Sequence, residues 1–133
     1  MIAHEDLRAA EFLAKRLRIR KFDCTIAINF KYGFTALCSA HAQVYYINDR
    51  RIQIEIDAKI SELVYLEILA HEMVHVKQYI TKKLAEDKNG DQLWKGKRVL
   101  NNVPYHKQPW EVEAMKAQSV LKWDYVYFRD GKT

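Results

Sequence analysis

One segment constrains this chain more than any other: Leu66-Glu67-Ile68-Leu69-Ala70-His71-Glu72-Met73-Val74-His75-Val76-Lys77-Gln78. Leu66, Leu69, Met73, Val76 and Ile80 recur at three- and four-residue steps, which is helical spacing. Val64, Ile68, His71 and His75 form a second line on roughly the opposite side. A helix apolar nearly all round belongs in the interior, so the rest of the chain must cover it. Burying two imidazoles and a carboxylate there is costly unless each finds a partner.

His71 and His75 lie four apart and project from one helix face. Both rings can therefore reach one zinc ion (Zn2+), about 2.0–2.1 Å from each nitrogen. Glu72 sits one step round the same helix, within reach of a metal-bound water but not as a ligand, as a water-activating metallohydrolase needs. With five His and nine Glu among 133 residues, the H-E-x-x-H letters arise by chance with odds of roughly 1%. The competing account is a buried helix with two satisfied histidines. A zinc ion answers all three desolvation costs at once, and we expect one.

The length suits a single domain over 1–133 with one real core. Apolar residues at 49% and charged residues at 29% are ordinary for a globular fold. No apolar run approaches the roughly 20 residues of a membrane span. The opening Met1-Ile2-Ala3-His4-Glu5-Asp6 has no basic region followed by an apolar core, so a cytoplasmic setting is expected. Cys24 and Cys38 lie in apolar, strand-like sequence and read as reduced core thiols. The net charge of +5 admits nucleic acid or an acidic partner. No nucleic-acid motif accompanies it, and a solvated basic surface is the better account.

In chain order, Leu7, Ala10, Ala14 and Leu17, with Phe12 off the stripe, suggest an amphipathic helix from about His4 to Arg18. Acids come early and bases late, which complements the helix dipole. From Asp23 to Asp57 the period changes to two. Ile26, Ile28 and Phe30 alternate with polar or small residues. Lys31-Tyr32-Gly33 reads as a turn. Phe34 to Ile47 is extended, with a break near Ser39-Ala40. Asn48-Asp49-Arg50-Arg51 joins a hairpin, and Ile52, Ile54 and Ile56 share one side of the last strand. The expectation is a three- or four-stranded, mainly antiparallel sheet covering the central helix. Ser61 is a suitable N-cap for that helix, which should run to about Leu84. Asn89-Gly90 marks a break, and Leu93 to Tyr105 reads as a short hairpin or irregular flap. Pro109 stands at a good first helical position. A second long helix follows from Trp110 to Leu121, with Val112, Met115, Ser119 and Trp110 inward, and aromatic Trp123 to Phe128 packs back on the body.

Catalytic zinc generally takes three protein ligands plus water. The candidates downstream are His106, Glu111 and Glu113. Glu111 and Glu113 are about 200° apart on a helix, so only one of them can face the ion. His71-Glu72-Met73-Val74-His75 followed by Glu111-Val112-Glu113-Ala114 resembles the small gluzincin metallopeptidases, including compact SprT-like and minigluzincin-type proteins. The resemblance covers roughly Phe34 to Gln118. It implies an α+β, zincin-like fold: a small sheet on the central H-E-x-x-H helix, an N-terminal helix and a C-terminal ligand helix. It implies Glu111 as third ligand, with Ala114 the small residue that lets two helices approach closely. Many relatives carry an acid four positions after that ligand to brace a histidine. Met115 stands there in this chain, leaving Glu113 or a backbone carbonyl as substitute. A third histidine in an H-G pair fits poorly, because Lys107 follows His106.

The mechanism implied by the resemblance is peptide hydrolysis. Zinc on His71, His75 and Glu111 lowers the pKa of a bound water towards ~7. Glu72 takes its proton and passes it to the leaving amine. Tyr105, just before the ligand helix, is the candidate oxyanion donor, with His106 as alternative. An edge strand within Phe34 to Ile47 would pair with extended substrate backbone. Two other classes remain in view: a non-catalytic zinc-binding interaction module, and a SprT-like protease acting on DNA-associated proteins. Glu72 argues against the first, since a relic has no need of the base.

Overall fold

The computed structural model describes residues 3–20, 25–31, 42–48, 51–57, 60–100 and 102–131. The elements are α1 (Ala3–Arg16), β1 (Thr25–Lys31), β2 (Ala42–Asn48), β3 (Arg51–Asp57) and α2 (Glu62–Ile80). Then come β4 (Leu84–Glu86), β5 (Gln92–Trp94), β6 (Lys97–Arg98), a 3-10 turn (Tyr105–Lys107) and α3 (Pro109–Arg129). This is a small α+β fold. Cys24, Cys38, the Tyr32-Gly33 turn, the Ser39-Ala40 break and the Asp49-Arg50 tip lie outside the described residues.

β3 is the middle strand of the first sheet, in the order β1-β3-β2. β2 and β3 pair antiparallel, as expected, with Ala42 opposite Ile56 and Asn48 opposite Arg51. β1 instead runs parallel to β3, Thr25 opposite Arg51 through Lys31 opposite Asp57, so this sheet is mixed. Alternation fixes which face of a strand is apolar but not the direction of its neighbour. Ile52, Ile54 and Ile56 are buried, as their period of two predicts.

α2 is the central helix. It meets α1, β2, β3, β4 and α3, and Leu66, Leu69, Met73 and Val76 of its stripe are buried, with Ile80 partly so. Its first turn lies outside the core, since Leu63 and Val64 are exposed. Ser61 occupies the N-cap position without a side-chain cap hydrogen bond. The helix ends at Ile80, short of Leu84. Lys82 takes a positive φ of 61°, and Leu84 begins a strand. α1 stops in a comparable left-handed turn at Arg18, φ 58°, with the Ile19 N–H donating to the Ala14 carbonyl at 2.8 Å. That pattern closes a helix end while tucking an apolar residue under it, and Ile19 is buried. The buried line of α1 is Ala9 and Leu13, with Phe12 stacked on Phe128 of α3, ring centres 4.9 Å apart.

Between α2 and α3 lies a small antiparallel sheet, β4-β5-β6. Gly90, φ 83°, turns β4 into β5. Lys95 and Gly96, φ 53° and 81°, turn β5 into β6, the two-residue turn with both φ positive that suits a twisted hairpin. α3 begins at Pro109 and runs unbroken to Arg129. Trp123 to Phe128 therefore continues the helix, because neither Gly nor Pro interrupts it before Gly131. Its inner face is Trp110, Glu111, Ala114, Leu121, Tyr125 and Val126, whereas Met115 and Ser119 are exposed. Trp110 faces inward as expected, but the rest of the expected face is rotated, for a physical reason: the true inner stripe includes polar Glu111 and Gln118, which an apolar pattern passes over.

The two long helices run antiparallel, tied by polar contacts along their length. Glu62 pairs with Arg129, and Glu67 takes Lys122 and Ser119, each at 3.0 Å. Further along, His71 meets Gln118, His75 meets Glu111, and Gln78 meets Glu113. Among the described residues no helix is long and apolar enough to cross a membrane.

Candidate metal centre

The α2–α3 seam brings His71, His75 and Glu111 together. Glu111 Oε1 lies 2.8 Å from His71 Nε2 and 3.0 Å from His75 Nε2, and the two nitrogens are 3.1 Å apart. The side chains retain 12%, 10% and 11% exposure respectively, so the cluster is nearly buried but open to one side. The rings stand edge to face at 82°, as two imidazoles aimed at one point from successive turns must. Among the described residues this is the group of His, Cys, Asp and Glu side chains whose donor atoms come close enough to share an ion.

The back of each ring fixes its chemistry. Gln118 Oε1 sits 2.6 Å from His71 Nδ1, and Gln78 Oε1 sits 2.8 Å from His75 Nδ1. An amide oxygen only accepts, so each Nδ1 carries the hydrogen and, in the neutral ring, each Nε2 keeps its lone pair. Two lone pairs and a carboxylate oxygen then converge on one spot. Three acceptors cannot satisfy one another; they need a shared proton or a cation. Donor atoms 2.8–3.1 Å apart can all reach a centre about 2.0–2.1 Å away. Two imidazoles and one carboxylate also form a known catalytic zinc set, so the residues fit this ion.

The electrostatics agree with a site built for positive charge. Burial pushes the Glu111 carboxyl up, but hydrogen bonds that His71 and His75 donate in their protonated forms outweigh it and hold the group down at about 2. Burial disfavours protonated His71 and His75, yet the hydrogen bond to Glu111 and those to the glutamines leave both rings above their ordinary value. Glu72 lies beside the cluster and makes no hydrogen bond or ion pair among the described residues. Burial raises its carboxyl above the usual range, the two histidines oppose that, and the charge of Glu111 adds to it.

Tyr105 is 59% exposed and lies near enough to Glu111 to feel its charge. Partial burial, then the charge of Glu111, push the phenol above its ordinary value and keep it protonated. His106 is exposed and stays out of the cluster. Glu113 also stays out; it braces neither ring directly but takes Gln78 Nε2 at 3.0 Å and an ion pair from Lys83. Burial raises its carboxyl, and the hydrogen bonds from Lys83 and Gln78 with the charges of Lys83 and Lys95 together outweigh that to leave it low.

Sequence reasoning missed Gln78 and Gln118. A signal existed: Gln78 follows His71 by seven residues and Gln118 follows Glu111 by seven, two turns along the same helix face. Comparison with protein-family models, curated proteins and solved structures returned no match.

Proposed function

We propose that the chain is a zinc-dependent peptidase, with His71, His75 and Glu111 as metal ligands and Glu72 as general base. One observation carries the reading: three acceptor atoms converge, each imidazole turned by an amide so that its lone pair faces the others. A zinc ion held there supplies a Lewis acid that brings water within reach of deprotonation near neutral pH.

The chain's own groups do the rest. Glu72, lifted above the usual carboxyl range by burial, is a better proton acceptor than a solvated glutamate. It takes a proton from the attacking water and returns it to the leaving amine. Tyr105, near Glu111 and with its hydroxyl hydrogen retained, is the group assigned to donate to the oxyanion that develops on the scissile carbonyl. β2 lies at an edge of its sheet, where an extended substrate backbone can add as a further strand. A central helix with two ligands, a second helix with the third, and an edge strand support the zincin-like reading of the fold.

The test is metal content with hydrolysis. Protein purified without chelator should carry about one zinc per chain and cleave unfolded protein. Glu72→Gln should keep the zinc and lose activity by about 10²–10⁴-fold. Protein that carries no transition metal and takes up no added zinc rules the proposal out. Zinc lost from Glu72→Gln would make Glu72 a ligand and overturn its role as base.

A further inference from the structure

Gln78 is only 1% exposed, and its polar contacts exhaust the amide. Oε1 accepts from His75 Nδ1 at 2.8 Å, while Nε2 donates to the Trp110 carbonyl and to Glu113 Oε1, both at 3.0 Å. Because both amide hydrogens are committed, the oxygen must face the ring, and the ring nitrogen facing it must be the protonated one. Glu113 is held in turn by Lys83, next to β4. The chain of contacts therefore runs from the hairpin through α3 to α2 and ends on His75. On the other ring, Gln118 of α3 performs the same service for His71 at 2.6 Å.

We propose that Gln78 and Gln118 are positioning residues that lock His75 and His71 in the metal-binding tautomer through uncharged amides, with Glu113 and Lys83 as the outer support of Gln78. The inference rests on the metal-site reading above. A carboxylate in either place would draw the Nδ1 hydrogen towards itself and make the ring a more basic ligand. An amide orients the ring without adding charge, so an ion bound there stays a stronger Lewis acid. Serving only as packing between α2 and α3, the glutamines could be replaced by any side chain of like size.

Methionine matches glutamine in length and lacks the strong acceptor. Gln78→Met and Gln118→Met should each weaken zinc binding on the order of tenfold to a hundredfold, read by competition with a chromophoric chelator. Nitrogen-edited NMR of the loaded protein should show the hydrogen-bonded Nδ1–H of the adjacent ring in the wild type and its faster exchange in the variant. Gln118→Glu restores an acceptor and should restore affinity. Zinc held to within about twofold of wild type by both methionine variants, with Nδ1–H signals unchanged, overturns the proposal. So does an affinity loss that Gln118→Glu fails to recover, because packing alone then explains it. If the wild type binds no zinc, the metal reading fails, and the tautomers of the metal-free rings at alkaline pH decide this inference. A tautomer shift in Gln118→Met then supports it, and an unchanged ring overturns it.

Discussion

Replacing Ala114 with leucine should force α2 and α3 apart and unseat the proposed ligands. Ala114 is fully buried one turn after Glu111, on the inner face of α3. Leucine adds three carbons where a methyl group now fills the contact. Overpacking of this kind costs about 1–3 kcal/mol, and helix propensity barely changes from alanine to leucine. Geometry adds to the effect. Packed helix axes stand about 8–10 Å apart according to the side chains between them, so a branched residue can widen the seam by about 1 Å. Glu111 Oε1 sits 2.8 and 3.0 Å from the two imidazoles, and hydrogen bonds are lost by about 3.6 Å. A shift of that size breaks both contacts together. Urea unfolding with and without chelator should show the metal-free variant less stable by about 1–3 kcal/mol. Its zinc affinity should fall by at least about tenfold, equivalent to roughly 1.4 kcal/mol. Ala114→Gly is the control: it leaves the seam narrow, costs about 1 kcal/mol of helix propensity, and should keep the metal. A folded Ala114→Leu protein that binds zinc as tightly as wild type would show that close helix approach does not place Glu111.

The third ligand can be settled by zinc affinities of single variants. Glu111→Ala should weaken binding by about tenfold to a hundredfold or more, whereas His106→Ala should retain the ion; the reverse order would replace the gluzincin-like set with three histidines. Away from the site, the Lys122 hydrogen bond holds the Glu67 carboxyl below its ordinary value of 4.5, against the opposing effect of burial. A lowered carboxyl contributes stability above that ordinary value and loses it as pH falls through the lowered one. Lys122→Met should thus destabilise by about 0.5–1 kcal/mol near neutral pH, with the gap closing as pH falls below 4.5 and through the lowered value. An undiminished gap in acid would assign the effect to packing of the lysine stem instead.

The central helix was readable because its apolar stripe and its two histidines occupy separate faces, so neither pattern masks the other. Glu111 came from the resemblance; the residues alone left it beside His106 and Glu113, since three-dimensional proximity to α2 has no local signature. The inner face of α3 was misjudged because two of its inward positions, Glu111 and Gln118, are polar. A polar stripe spoils the hydrophobic period that would otherwise locate it. The end of α2 was placed late because the turn at Lys82 uses a lysine in a left-handed conformation that glycine usually announces. The parallel partner of β1 was invisible, because strand direction depends on the path of the connection rather than on side-chain alternation.

The three donor atoms come from two helices alone, and His75 and Glu111 are 36 residues apart. An ion held between them is therefore also a staple across the hairpin that separates the helices. Closing a loop of that length in the unfolded chain removes entropy worth about 4 kcal/mol at 25 °C. Without such an ion the sheet side keeps its isoleucines buried, while the hold on the N-terminal half of α3 rests on Trp110, Ala114, the amide contacts and the Lys83–Glu113 pair. A cut in the turn around Gly90 would sever the chain between the helices, and the loaded ion would still hold the two pieces together.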